Sequence, residues 1–354
     1  MPIDSGLAQL SKDLLLSTVF IYAIAMLACA CDFAFGRVRI APPVPVPVLA
    51  GRAAGGGTAG ETAGGEAGGL AGGEAAGGAD GAVAGAAAAP PGFGAAAEPG
   101  PGRWMRAAFV LTAIGLIAHV AGIATRGISE DRVPWGNMYE FITAITCVAI
   151  IVLLVVALRY KAYYIGLFVL VPVVFSLGLA LTVIYTPAGA LVPALQSYWI
   201  AIHVTSMIVA AGLFIVGAVT TAMYLAADRN ERRLAAGQSS GTAGIMAHLP
   251  RPLVLDRLSY RTILFAFPVW TFGVMAGAIW ADQAWGRYWG WDPKETWSFI
   301  TWVVYAGFLH ARATAGWRGR RAAYIQLAGF CCLMFNLVGI NLWVTGLHSY
   351  AGVG

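Results

Sequence analysis

The sequence predicts an all-α, polytopic integral membrane protein with about eight transmembrane helices and both termini extracytoplasmic, and three observations carry that prediction. Of 354 residues, 59% are hydrophobic and only 11% are charged, with a mean hydropathy of +0.73. That is too apolar for a soluble domain of ordinary composition. Apolar stretches of about 20 residues, enough to cross a bilayer as helix, recur along the chain. The basic residues collect in alternate connections between those stretches, as the positive-inside rule expects.

The spans fall at roughly 14–35, 107–125, 138–158, 162–184, 199–226, 262–281, 296–311 and 322–345. Asp4, Lys12 and Asp13 precede a first stretch of full spanning length, so residues 1–35 read as a retained first helix and not as a cleaved signal peptide. Residues 51–102 are almost entirely Gly and Ala with scattered Glu and Pro, a composition that buries too little apolar surface to offset chain entropy. The segment 36–103 is therefore expected to be a disordered cytoplasmic linker, and 104–354 a seven-helix core with an external Trp-rich loop at 280–297. A second connection, 228–261, carries Arg229, Arg232, Arg233, Arg251, Arg257 and Arg261. Its tail, Pro250 to Arg261, is expected to lie along the membrane surface. The seventh stretch is the shortest, and no internal repeat is evident.

Connections 36–106, 159–161, 227–261 and 312–321 hold 17 of the 22 Lys and Arg residues. The remaining basic residues are Lys12, Arg126, Arg132, Arg287 and Lys294. This asymmetry puts the Trp-rich loop outside and accounts for most of the +5 net charge without any nucleic acid. The five cysteines all lie inside expected helices with no Cys-x-x-Cys pair, which argues against a thioredoxin-like or zinc site. Cys29 and Cys31 read as small apolar residues more readily than as a redox pair.

Six of the twelve tryptophans fall between Trp280 and Trp302. One reading is an interfacial aromatic belt, and the other a stacking platform for a large flat ligand. The histidines bear on the choice. His203, just after Trp199, and His348, past the last span, are expected at the depth of the Trp-rich loop, while His119 sits in the outer half of the second span. His310 follows Glu295 by 15 residues, about 22 Å along a helix, near the cytoplasmic end. His248 reads as a solvated loop residue. A single histidine in a membrane helix is commonly a hydrogen-bonded packing residue, but two flanking an aromatic platform suit the axial ligands of haem. Asp292 and Glu295 read first as the capping box of the seventh helix, with Pro293 in its first turn, and Asn137 with Glu140 as the same device on the third. Arg287 and Lys294 are the candidates to pair with haem propionates.

The run Trp285-Gly-Arg-Tyr-Trp-Gly-Trp-Asp-Pro-Lys-Glu-Thr-Trp-Ser-Phe resembles the tryptophan-rich signature of haem-handling proteins of cytochrome c maturation. It is most similar to the CcsA branch, also called ResC and in actinobacteria often CcsB, of the system II pathway. Pro134-Trp-Gly-Asn-Met-Tyr-Glu140, Trp199-x-x-x-His203, Leu309-His310 and Gly346-Leu-His-Ser-Tyr350 agree, so the resemblance covers about 104–354. It implies that haem b reaches an external site at Trp285, Trp289 and Trp291, ligated by His203 and His348, with His310 holding haem deeper in the membrane. His310's axial mate would come from a ResB/Ccs1-type partner; no ligand role is assigned to His119, which is kept among the candidates. The implied activity is that of a haem lyase component of the plasma membrane, aided by a thiol-reducing pathway protein, which presents haem to the Cys-x-x-Cys-His motif of apocytochrome c. The competing readings are a haem transporter or chaperone alone, and a structural subunit without haem.

Overall fold

A computed structural model of the chain describes residues 4–35, 101–189, 193–238 and 248–348. The Gly/Ala-rich linker at 36–103 falls almost wholly outside the described residues. Eight long helices build the described part: α1 (Ser5–Phe35), α2 (Arg103–Glu130), α3 (Met138–Tyr160), α4 (Gly166–Thr182), α5 (Tyr198–Ala235), α6 (Pro252–Trp285), α7 (Pro293–Ala313) and α8 (Arg320–Met334). A π-helical turn, Phe335–Gly339, carries α8 on to Trp343. No strand occurs among the described residues.

Seven of these segments are long and apolar enough to cross a membrane. The exception is α7, whose 21 residues carry Lys294, Glu295, His310 and Arg312 at their ends. The outward faces are apolar as well: Phe20, Ile117, Phe175 and Phe265 are each more than 60% exposed. A surface of that kind is stable against lipid and not against water. The protein is a multi-pass, all-α membrane protein.

Two packed groups share α5. In one, α1 lies along α2 and α4, and its buried residues Tyr22, Ala25 and Cys29 meet Ile150, Ile165 and Val169. In the other, α6, α7 and α8 gather around α5 through Phe214, Ile263, Trp270, Tyr305 and Phe308. The Phe214 and Tyr305 rings stack 4.0 Å apart. The close α1–α2 approach depends on Gly115 and Gly122, where an added Cβ would meet Tyr22 at 2.5 Å and Leu15 at 2.8 Å. Small residues let membrane helices meet backbone to backbone.

Several expectations change. The tail Pro250 to Arg261 does not lie along a surface, because Pro252 opens α6 and the helix runs unbroken for 34 residues. Pro at the first position of a helix interrupts nothing, so the polar tail simply extends the span. The Trp-rich stretch 280–297 is mostly helix. Helix α6 continues to Trp285, stops at left-handed Gly286 (φ 70°), and α7 begins at Pro293. Only 286–292 is irregular. Asn137 caps α3 by accepting from the Glu140 N–H at 2.9 Å, but the Glu140 carboxylate turns elsewhere and closes no capping box.

Candidate functional site

The cavity between the ends of α3, α5, α6, α7 and α8 encloses about 180 Å3 and is lined mainly by apolar and aromatic groups. His203, His348, Trp280, Trp285, Trp289 and Lys294 all line it.

His203 sits in the second turn of α5, which Ser197 caps. Its Nδ1 lies 2.7 Å from the carbonyl oxygen of Gly273 on α6. A carbonyl only accepts, so Nδ1 carries the proton and Nε2 keeps its lone pair, the tautomer a metal ligand needs. Glycine is required beside it, since a Cβ at Gly277 would stand 2.6 Å from Nδ1. The Trp280 ring lies parallel to the imidazole, 6.0 Å away, and its Nε1 donates to the Ala194 carbonyl at 3.0 Å.

His348 reaches the same cavity from the chain's far end. Its Nδ1 lies 2.8 Å from Asp292 Oδ2, and its ring meets Trp280 at 5.6 Å and Trp285 at 5.0 Å, both edge to face. Asp292 also accepts from the Leu347 N–H at 2.8 Å and the Lys294 N–H at 3.3 Å, and caps α7 in a complete capping box with Glu295. Burial raises the Asp292 pKa, but the His348 and backbone hydrogen bonds outweigh it and hold the group at about 2. Asp292 therefore does two jobs. The capping role was legible in Asp-Pro-x-Glu; the orienting role depends on a residue 56 positions away and had no local signal.

Glu295 closes the loop from inside, its Oε2 accepting from the N–H groups of Gly290 at 2.8 Å and Asp292 at 3.1 Å. Arg287 pairs with that carboxylate at 3.8 Å and lies across Gly290, away from the cavity lining. Of the two basic candidates, Lys294 is the one at the cavity, its Nζ 2.5 Å from Asn341 Oδ1. Trp285 and Trp289 line the cavity, but Trp291 does not. Its backbone is left-handed (φ 58°), unusual for a bulky residue, and its indole is 65% exposed, touching Trp289 and Phe299 by their edges.

The structure does not bring His119 or His310 to this cavity. His119 is fully buried, with Nε2 3.0 Å from the Thr143 carbonyl and Nδ1 3.4 Å from the Tyr22 hydroxyl. His310 lies in the last turn of α7, exposed on its outer face. Sequence reading also missed the π-helical turn of α8, which presents Asn336 and Leu337 to the cavity, and the buried ion-pair group behind Trp135. Such turns cluster at functional sites. No set of three or more His, Cys, Asp or Glu side chains able to hold a bare metal ion occurs among the described residues. Two oriented imidazoles on an apolar, indole-lined cavity suit instead a metal that arrives in a flat macrocycle carrying its other ligands.

An all-helical membrane protein with this cavity falls into the class of cytochrome c assembly proteins: the sequence model of the family described as "Cytochrome C assembly protein" matches residues 135–348. A cytochrome c biogenesis protein CcsA of Guillardia theta is 37% identical over 241 residues, 64% of this chain and 80% of that protein. The CcsA of Pyropia yezoensis is 32% identical over 286 residues, 72% of this chain and 90% of its own length. This chain belongs to the CcsA family of system II cytochrome c biogenesis proteins. In fold it also resembles the solved cytochrome c haem lyase CcmF, with a TM-score of 0.57 at 14% identity over 95% of this chain. It spans 47% of that longer protein.

Proposed function

We propose that this cytochrome c biogenesis protein holds haem b in the cavity at the ends of α5–α8, with His203 and His348 as axial ligands. The observation that carries the reading is that each imidazole is fixed through Nδ1, one on the Gly273 carbonyl and one on the Asp292 carboxylate, beside the same indole, Trp280. A neutral imidazole so fixed offers Nε2 to iron, and a carboxylate partner raises its basicity. Trp280, Trp285 and Trp289 provide faces for the macrocycle, and Lys294 a cation for a propionate.

Haem is cargo here. Each thiol of an apocytochrome Cys-x-x-Cys-His motif adds across one haem vinyl group: an S–C bond forms, the thiol hydrogen goes to the other vinyl carbon, and no oxidant is consumed. The protein's contribution is position, holding the vinyl groups near the thiols while the substrate histidine replaces one axial imidazole. The segregation of basic residues argues for an extracytoplasmic cavity in the plasma membrane. His310, exposed on the outer face of α7, suits a second haem position whose other ligand comes from a ResB-type partner. A thiol-reducing protein would keep the substrate cysteines reduced.

The test is an absorbance spectrum of the purified chain with its partner. A Soret band that is lost in His203→Ala and His348→Ala, and regained with added imidazole, supports the reading. A preparation active in cytochrome c assembly but lacking that band overturns it.

A further inference from the structure

Part of the stretch Pro134 to Glu140 forms a wall of the cavity that the two histidines leave unexplained. Trp135, Gly136, Asn137 and Met138 all line it. Behind them lies a group of four charged residues, Arg126 and Glu130 on α2, Arg132 in the following turn, and Glu140 on α3, with side-chain exposures of 0–12%. Glu140 accepts from Arg126 Nε at 3.0 Å, from Arg132 at 2.9 and 3.1 Å, and from the Gly136 N–H at 2.8 Å. Glu130 pairs with Arg126 at 3.1 Å and Arg132 at 2.7 Å, and accepts from the Gly189 N–H at 3.2 Å. Arg126 also donates to the Thr186 carbonyl at 2.9 Å. Two cations and two anions cancel, and together they fasten 136 and 186–189 to the ends of α2 and α3. A balanced, hydrogen-bonded group of buried charges specifies one arrangement and costs heavily if one member is lost.

What the group fastens is a hydrogen-bond donor with nothing to bond. Trp135 Nε1 is buried and has no hydrogen-bond partner among the described residues. A buried N–H is normally met by an acceptor, and one left open beside a ligand cavity points to an acceptor on the ligand. Lys294 lines the same cavity and supplies positive charge. A neutral donor and a cation on one cavity recognise a carboxylate, a group that only accepts.

We propose that Trp135 donates its indole N–H to a carboxylate of the cavity's ligand, and that Arg126, Glu130, Arg132 and Glu140 are positioning residues that hold Trp135 there. The inference rests on the haem reading, in which that carboxylate is a propionate.

Trp135→Phe tests it, because an aromatic ring stays while the N–H donor is lost together with part of the indole's volume. The measurement is the haem midpoint potential as a function of pH, on the full chain purified with its partner. A hydrogen bond to the ionised form favours that form, so its loss moves the propionate inflection to higher pH, by roughly half a unit. The Soret band should remain. Glu140→Gln should shift the inflection the same way and lower haem occupancy several-fold; should that variant fail to fold, Trp135→Phe decides alone. A Trp135→Phe profile superimposable on the parent's overturns the proposal while leaving haem binding intact. A parent without a Soret band overturns the haem reading first, and the carboxylate assignment with it.

Discussion

His119 and His203 are the same residue type in the same kind of setting, and the structure gives them opposite characters. Each lies in a membrane helix and places one ring nitrogen on a backbone carbonyl of a neighbouring helix, Thr143 at 3.0 Å for His119 and Gly273 at 2.7 Å for His203. In both, the carbonyl fixes the tautomer. The difference is at the other nitrogen. In His119 it meets the Tyr22 hydroxyl inside the α1–α2–α3 packing, so the ring ties three helices together. His203 instead lines a cavity that His348 and several indoles, Trp280 and Trp285 among them, share. A buried histidine thus becomes a ligand candidate through what its second nitrogen faces, and depth in the membrane alone says little.

The largest effect that would break this comparison comes from removing each ring. His203→Ala should abolish the haem spectrum, with the protein still folded. His119→Ala should keep the spectrum and lower stability by about 2 kcal/mol, through a lost hydrogen bond to the Thr143 carbonyl, an unsatisfied Tyr22 hydroxyl and a small void. Thermal unfolding in detergent, followed together with the Soret band, separates the two. Loss of the band in a folded His119→Ala protein would erase the distinction.

Next in size is the support behind His348. Asp292→Asn can still cap α7 but no longer offers a carboxylate to Nδ1. Replacing such outer-shell partners costs about 10–100-fold in metal affinity, so haem should dissociate faster by that order. Unchanged dissociation would mean that the Asp292–His348 contact only anchors the chain end. Gly277→Ala should act more mildly. The added methyl meets the His203 ring at 2.6 Å and must turn it, shifting the low-spin haem spectrum without releasing haem.

These sites were unequally legible in the sequence. The helices were readable because twenty-residue apolar stretches have few alternatives in a membrane chain, and the cap on α7 because Asp292, Pro293 and Glu295 are close neighbours. The boundaries were less readable. Polar turns such as Pro252 to Arg261 and Arg126 to Glu130 extend the helices beyond the apolar stretch, since hydropathy marks the membrane and not the end of hydrogen bonding. His203, His348, Trp285 and Trp289 meet at one cavity, but Trp291, adjacent in the motif, turns outward through its left-handed backbone. Arg126, Glu130, Arg132 and Glu140 appeared in the sequence as scattered polar residues at helix ends. Only the packing of α2 against α3 makes them one group.

The smallest effect concerns acid, and it bears on the carboxylate that orients His348. Asp292 is held at about 2 against an ordinary value of 3.8. A depressed carboxylate stabilises the fold above its unfolded value, and that contribution disappears as the pH falls from 3.8 through about 2. The unfolding midpoint of the parent should therefore drop more steeply between those two values than that of Asp292→Asn. Parallel curves for the parent and Asp292→Asn would show that the bonds from His348 and Leu347 do not stabilise the ionised carboxylate.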